Sequence, residues 1–173
     1  FDALSSFQIF RNELGVAYSA FKGGKSPALP SLALQYVDYV RRERESMQGP
    51  RLEDLTSYWL KQLRELPVLE LPTDRPRPSR MSYSGGQCSF SLSADLACSL
   101  RTIGEKEGVT QHMLLLSAFL VLMARYSAQK DIAIGMPVAG RDREDFEELI
   151  GFFINTLVVR QDLSGDPTFK EVL

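Results

Sequence analysis

The chain has 173 residues, 44% hydrophobic and 24% charged, which fits one globular domain or two small ones and excludes a disordered, collagen-like or disulfide-dense protein. Twenty basic against 22 acidic residues give a net charge of -2, so no global positive field exists to hold nucleic acid or an anionic membrane. Cys88 and Cys98 form neither a metal-ligand spacing nor a disulfide framework, and His112 is the single histidine, so no metal site is expected and a reducing cytoplasm is the expected setting.

The chain opens Phe1-Asp2-Ala3-Leu4, without Met and without a basic leader, and reads as a segment of something longer. Leu4, Phe7, Phe10, Leu14, Ala17, Tyr18 and Phe21 recur at helical steps, predicting a helix over residues 1–21. Gly23-Gly24 stops it, and Pro27 and Pro30 keep residues 22–30 an extended loop. A second helix is predicted over residues 34–47, its tail of mixed charges reading as a solvated face. Gly49-Pro50 breaks it, and a third helix follows over residues 52–66, with Leu55, Tyr58, Trp59, Gln62 and Leu63 along one side.

Residues 66–86 are rich in proline, which fixes φ and pushes its predecessor extended, so this stretch is a stiff connector and the best domain boundary. Beyond it the period changes. Cys88, Phe90 and Leu92 alternate with serines as in a half-buried strand. Ser93 can cap a helix that carries Leu96, Leu100 and Ile103 and ends at Gly108. Thr110 caps the next helix, apolar nearly all round and expected to be buried on most sides. Its apolar run over residues 113–124, broken only by Ser117, is too short for a bilayer span of roughly 20 residues. Residues 131–138 read as a short strand, residues 144–148 as an exposed acidic turn, and residues 152–160 as an interior strand. Pro167 starts a last helix. Helices first, then β-α-α-β-loop-β, make an α/β layered arrangement.

Four segments carry a resemblance. Gln35-Tyr36-Val37-Asp38-Tyr39-Val40 matches a Tyr-x-Asp-Tyr/Phe-Ala pattern, although Arg42 stands where an aromatic is expected. Leu69-Glu70-Leu71-Pro72-Thr73-Asp74-Arg75-Pro76-Arg77-Pro78 is a crossover segment, Gly135-Met136-Pro137-Val138-Ala139-Gly140-Arg141 a Gly-x-Pro-x-x-Gly-Arg turn, and Ile150-Gly151-Phe152-Phe153-Ile154-Asn155-Thr156 an Ile-Gly-x-Phe-Val-Asn-Thr motif. In this order they resemble the condensation domain of nonribosomal peptide synthetases, a member of the chloramphenicol-acetyltransferase-like superfamily. The resemblance spans nearly the whole chain.

It implies a partial chloramphenicol-acetyltransferase-like α/β fold: residues 1–65 as the last helices of an N-terminal lobe, 66–86 as the crossover linker and 87–173 as the start of a C-terminal lobe. It implies amide formation between aminoacyl or peptidyl thioesters held by upstream and downstream peptidyl carrier domains, with an adenylation domain in the same polypeptide. The 4'-phosphopantetheine would be carried by those partners and none bound directly; neither nucleic acid nor membrane is a partner. Epimerisation or heterocyclisation relatives, or a non-catalytic carrier-docking platform, are the alternatives. The family's His-His-x-x-x-Asp-Gly motif does not occur in this chain, so its catalytic histidine is expected just upstream of Phe1 and the fragment alone is expected to be inactive.

The channel or scaffold candidates are Tyr36, Asp38, Arg141, Gly151, Asn155 and Thr156. Arg141 follows a turn at a strand end, where site residues gather, though a salt bridge explains it as well. Asn155 and Thr156 interrupt an apolar strand and need hydrogen-bond partners if buried, either neighbouring backbone or a substrate. Asp38 suits helix capping or an ion pair. His112, in the first turn of its helix with no acid beside it, reads as structural.

Overall fold

The computed structural model describes residues 2–3 and 5–173, and they divide into two compact units. The first comprises residues 1–64 and 135–158, the second residues 65–134 and 159–173.

In the first unit, helix α1 runs over Ser5–Lys22, α2 over Tyr36–Ser46 and α3 over Gly49–Gln62. The opening residues Phe1 and Leu4 of the predicted first helix lie outside the described residues. Gly49 and Pro50 both end α2 and begin α3: Gly49 takes a left-handed φ of 58°, and Pro50 occupies the first turn, where its missing N–H costs nothing. The third helix therefore starts three residues earlier than its apolar period suggests, and it stops at Gln62 rather than Leu66. The chain leaves the helix at Leu63 and turns at Glu65, which takes a left-handed φ of 54°.

The core of this unit is Phe146, Leu149 and Phe153, with Leu32, Leu34, Tyr36 and Tyr39 packed against them. Tyr36 and Tyr39 stack on each other, and the other rings meet edge-on or tilted, Tyr39 and Phe153 with centroids 4.5 Å apart. The acidic turn is thus not a purely exposed one. Its 3-10 turn, Glu144–Phe146, carries charge outward and drives Phe146 into the core.

In the second unit, helix α4 runs over Ala94–Glu107 and α5 over Gln111–Ser127. Both start on a hydroxyl cap: Ser93 Oγ accepts from the Leu96 N–H at 3.3 Å, and Thr110 Oγ1 accepts from the Met113 N–H at 3.2 Å. Gly108 ends α4 in the left-handed region, φ 69°, a conformation that a Cβ disfavours. A short α6, Phe169–Val172, is capped reciprocally by Thr168 and Glu171. Leu120, Ile132, Leu163 and Val172 form the core, joined by Leu69, Leu116, Val121 and Ile134.

Two expectations fail in this unit. Helix α5 buries only one stripe, Leu114, Ser117 and Leu120, because α4 and α6 cover one side of it; Leu115, Phe119, Leu122 and Tyr126 remain exposed. Residues 81–93 form no strand, and Phe90 is 85% exposed. Alternating side chains define a face, but a strand also needs a neighbouring strand for its backbone donors and acceptors, and the described residues give this segment none. The connector before it is held differently. Gln129 donates from Nε2 to the Val68 carbonyl at 2.9 Å and accepts from the Glu70 N–H at 2.8 Å.

Strands β1 (Asp131–Val138) and β2 (Asn155–Asp162) form a two-stranded sheet. The register is antiparallel: Leu163 N–H reaches the Lys130 carbonyl at 2.7 Å at one end, and further along Gly135 lies against the Thr156 methyl. Arg160 clamps Asp131 with two hydrogen bonds, 2.8 Å from Nε and 2.5 Å from Nη2. The second strand is not an interior one. It begins three residues later than the apolar run and has a single partner among the described residues, so Leu157 stays partly exposed and Phe152 lies ahead of the strand, exposed. Among the described residues, no single helix is long and apolar enough to cross a membrane.

Ile132 is fully buried in the second core. Ile132→Ala is expected to lower unfolding free energy by about 2–5 kcal/mol and Ile132→Val by about 1 kcal/mol, measured by urea denaturation.

Candidate functional site

The most buried polar cluster of the first unit is built on the residues just ahead of α1 and on the two loops that flank the 3-10 turn. Asp2 precedes α1 and takes the place of a cap: its Oδ1 accepts from the Ser6 N–H at 2.8 Å, satisfying a donor that the helix leaves open. Ser6, fully buried, turns its hydroxyl to Gly151. It donates to the Gly151 carbonyl at 2.8 Å and accepts from the Gly151 N–H at 3.0 Å. The Asp2 N–H reaches the same carbonyl at 2.9 Å.

Arg141 closes the cluster. Its Nη2 donates to Asp2 Oδ2 at 3.0 Å and to Ser6 Oγ at 3.2 Å, and its Nη1 donates to the carbonyls of Phe146 and Glu147. The guanidinium carbon lies 4.0 Å from the centre of the Phe153 ring. Arg141 and Asp2 side chains are 7% and 2% exposed, so both charges are withdrawn from water and stand or fall together. Burial works against ionisation of Asp2, but the Ser6 N–H, the hydrogen bond from Arg141, the Ser6 side chain and the Arg141 charge outweigh it and hold the carboxyl below its usual range.

Of the sequence candidates, the fold gathers Arg141, Gly151 and Tyr36. A Cβ on Gly151 would lie 2.1 Å from the Tyr36 ring, and the Tyr36 hydroxyl donates to the next carbonyl, that of Phe152, at 2.8 Å. Asp38 lies apart, at the start of α2, where it accepts from the Gln35 N–H at 2.9 Å and faces Arg41 at 3.6 Å. Asn155 and Thr156 are exposed, not buried as the apolar run suggested. The Asn155 Oδ1 accepts from the Thr156 N–H at 2.8 Å, a local bond at the start of β2. His112 is exposed in the first turn of α5.

The sequence reading missed Asp2 and Ser6. Their signal was present: an acid ahead of an apolar-periodic segment is a helix-start signature, but the predicted helix began at residue 1 and so placed Asp2 inside it rather than ahead of it, whereas α1 starts at Ser5.

Beside the cluster lies a cavity of about 250 Å³ lined by Asp2, Ser5, Pro137, Val138, Ala139 and Ile154. Its walls are mostly apolar, with the Asp2 carboxylate already committed to Ser6 and Arg141. Among the described residues no three His, Cys, Asp or Glu side chains are grouped to hold a metal.

A family model described as Condensation domain matches residues 1–173. The chain belongs to the condensation domain family. A linear gramicidin synthase of Brevibacillus parabrevis is 47% identical over 169 residues, 97% of this chain and 2% of that relative. Malpibaldin synthetase of Mortierella alpina is 43% identical over 169 residues, 97% of this chain and 3% of that relative. The chain therefore spans 2% to 4% of the length of such curated relatives. Among solved structures, the X-domain from teicoplanin biosynthesis superposes with a TM-score of 0.88 at 33% identity, over 97% of this chain and 39% of that one. The first condensation domain of the CDA synthetase gives 0.72 at 22% identity, over 98% of this chain and 37% of that one, a likeness of fold. The condensation-domain fold, α/β and chloramphenicol-acetyltransferase-like, is the one expected from the four motifs.

Because Asp2 is held ionised in the fold, its contribution to stability is complete above the unfolded carboxylate value, about 3.9, and is lost as pH falls through the lower folded value. Asp2→Asn is expected to destabilise by about 3–5 kcal/mol at neutral pH, and the gap from wild type should narrow below about pH 3.9 in urea titrations. Gly151→Ala should lower the thermal midpoint, whereas Tyr36→Phe, which keeps the ring, should cost only about 1 kcal/mol.

Proposed function

We propose that this chain is part of a condensation domain that joins carrier-bound aminoacyl or peptidyl groups through an amide bond in a nonribosomal peptide synthetase. The observation that carries this reading is the family match over residues 1–173 together with 47% identity to a linear gramicidin synthase. The site geometry supports it: a mostly apolar cavity is set beside an ion pair that fixes the start of α1.

In this reading the amine nitrogen of one carrier-bound group attacks the thioester carbonyl carbon of the other. The C–N bond forms, the C–S bond breaks, and the carrier thiol leaves with the proton that the nitrogen gives up. A thioester is already activated, so orientation and removal of that proton are the main tasks. Asp2-Ala3 resembles the Asp-Gly end of His-His-x-x-x-Asp-Gly, with alanine in place of glycine. Asp2 and Arg141 then act as positioning residues for a histidine that precedes Phe1. Upstream and downstream peptidyl carrier domains bring the substrates on 4'-phosphopantetheine, an adenylation domain loads them, and the setting is the cytoplasm.

A docking platform without chemistry is the second reading. An X-domain in complex with OxyB, from teicoplanin biosynthesis, superposes with a TM-score of 0.90 at 34% identity.

The parent synthetase, supplied with loaded donor and acceptor carriers, is expected to form the dipeptidyl thioester, detected by mass spectrometry, and the isolated 173-residue chain to form none. A parent that loads both carriers yet makes no amide would favour the docking reading.

A further inference from the structure

The two hydroxyls at the start of α1 have different fates. Ser6 is buried and fully used, donating to one backbone group, accepting from another and receiving Arg141. Ser5, half-buried, lines the 250 Å³ cavity, and its hydroxyl makes no hydrogen bond to any described residue. The rest of the lining offers little competition. Pro137, Val138, Ala139 and Ile154 contribute aliphatic walls, and both Asp2 carboxylate oxygens are occupied. A mostly apolar cavity with a small number of polar residues on its lining, here Asp2 and Ser5, is the usual construction of a site that fixes a ligand's orientation. At about 250 Å³ the cavity is just below the size of drug-sized sites, roughly 300 Å³ and upward. It accommodates one acyl group rather than a whole carrier arm.

We infer that Ser5 is a positioning residue for the carrier-borne acyl group, its hydroxyl donating a hydrogen bond to a carbonyl oxygen of that group within the cavity. The hydroxyl is not consumed; no proton is exchanged and no bond to Ser5 forms. The inference rests on the amide-forming reading. Ser5 does not belong to the buried ion-pair cluster, so its removal leaves the Asp2–Arg141 contact intact.

The test is single-turnover amide formation by the parent synthetase with both carriers loaded. Loss of one hydrogen bond to the reacting group predicts a rate about tenfold lower for Ser5→Ala, with carrier loading and thermal midpoint unchanged. Ser5→Thr, which keeps the hydroxyl, is expected to recover most of the rate. Ser5→Ala at the wild-type rate would overturn the assignment while leaving amide formation standing. Equal losses in Ser5→Ala and Ser5→Thr, matched by a lower thermal midpoint, would also overturn it, by showing that Ser5 supports the helix. A wild-type synthetase that makes no amide would remove the reading on which the inference rests.

Discussion

Arg141 and Asp2 are a guanidinium and a carboxylate shut away from water, and the first unit is organised around keeping them paired. Neither charge is tolerable alone at that depth. The pair consequently dictates its surroundings: Ser6 must present both a backbone N–H and a hydroxyl, Phe146 and Glu147 must turn carbonyls inward, and Gly151 must bring its backbone close. These partners come from three separate stretches of chain. The pair therefore ties the start of α1 to the loops on either side of the 3-10 turn more specifically than apolar contact would.

Gly151 shows how tightly the two kinds of contact are interlocked. One face of it is held by Ser6 and the other is covered by the Tyr36 ring, with no room for a side chain between them. The same tyrosine meets the Phe153 ring edge-on, and Phe153 in turn underlies the Arg141 guanidinium. Polar network and aromatic core thus share residues. A change in either propagates to the cavity beside Asp2, whose walls are the next residues along the same strand and loops.

Local signals carried much of this architecture. The caps Ser93 and Thr110, the left-handed Gly108 and the extent of β1 are written in a few adjacent residues and could be read without knowing any partner. Arg141 was singled out because it closes a turn motif, and Gly151 because it belongs to the Ile-Gly-x-Phe-Val-Asn-Thr motif. What could not be read was anything decided by distant chain. Residues 88–92 alternate like a strand but have nothing to pair with among the described residues, and α5 is apolar all round yet covered on one side. Asn155 and Thr156 were misjudged for the same reason: burial of a short run depends on how many neighbours flank it, which hydropathy does not record. The pairing of Asp2 with Arg141 was not legible either, because the two are 139 residues apart.

The grip of Gln129 on residues 68 and 70 has a different character from these side-chain pairings. A single carboxamide stands in for a neighbouring strand, meeting one carbonyl and one amide of the connector. Because it contacts main chain alone, it is blind to the identity of the residues it holds. Val68 and Glu70 can drift through many amino acids, proline at position 70 excepted, while the anchoring persists, and the one position under constraint lies in a different part of the sequence.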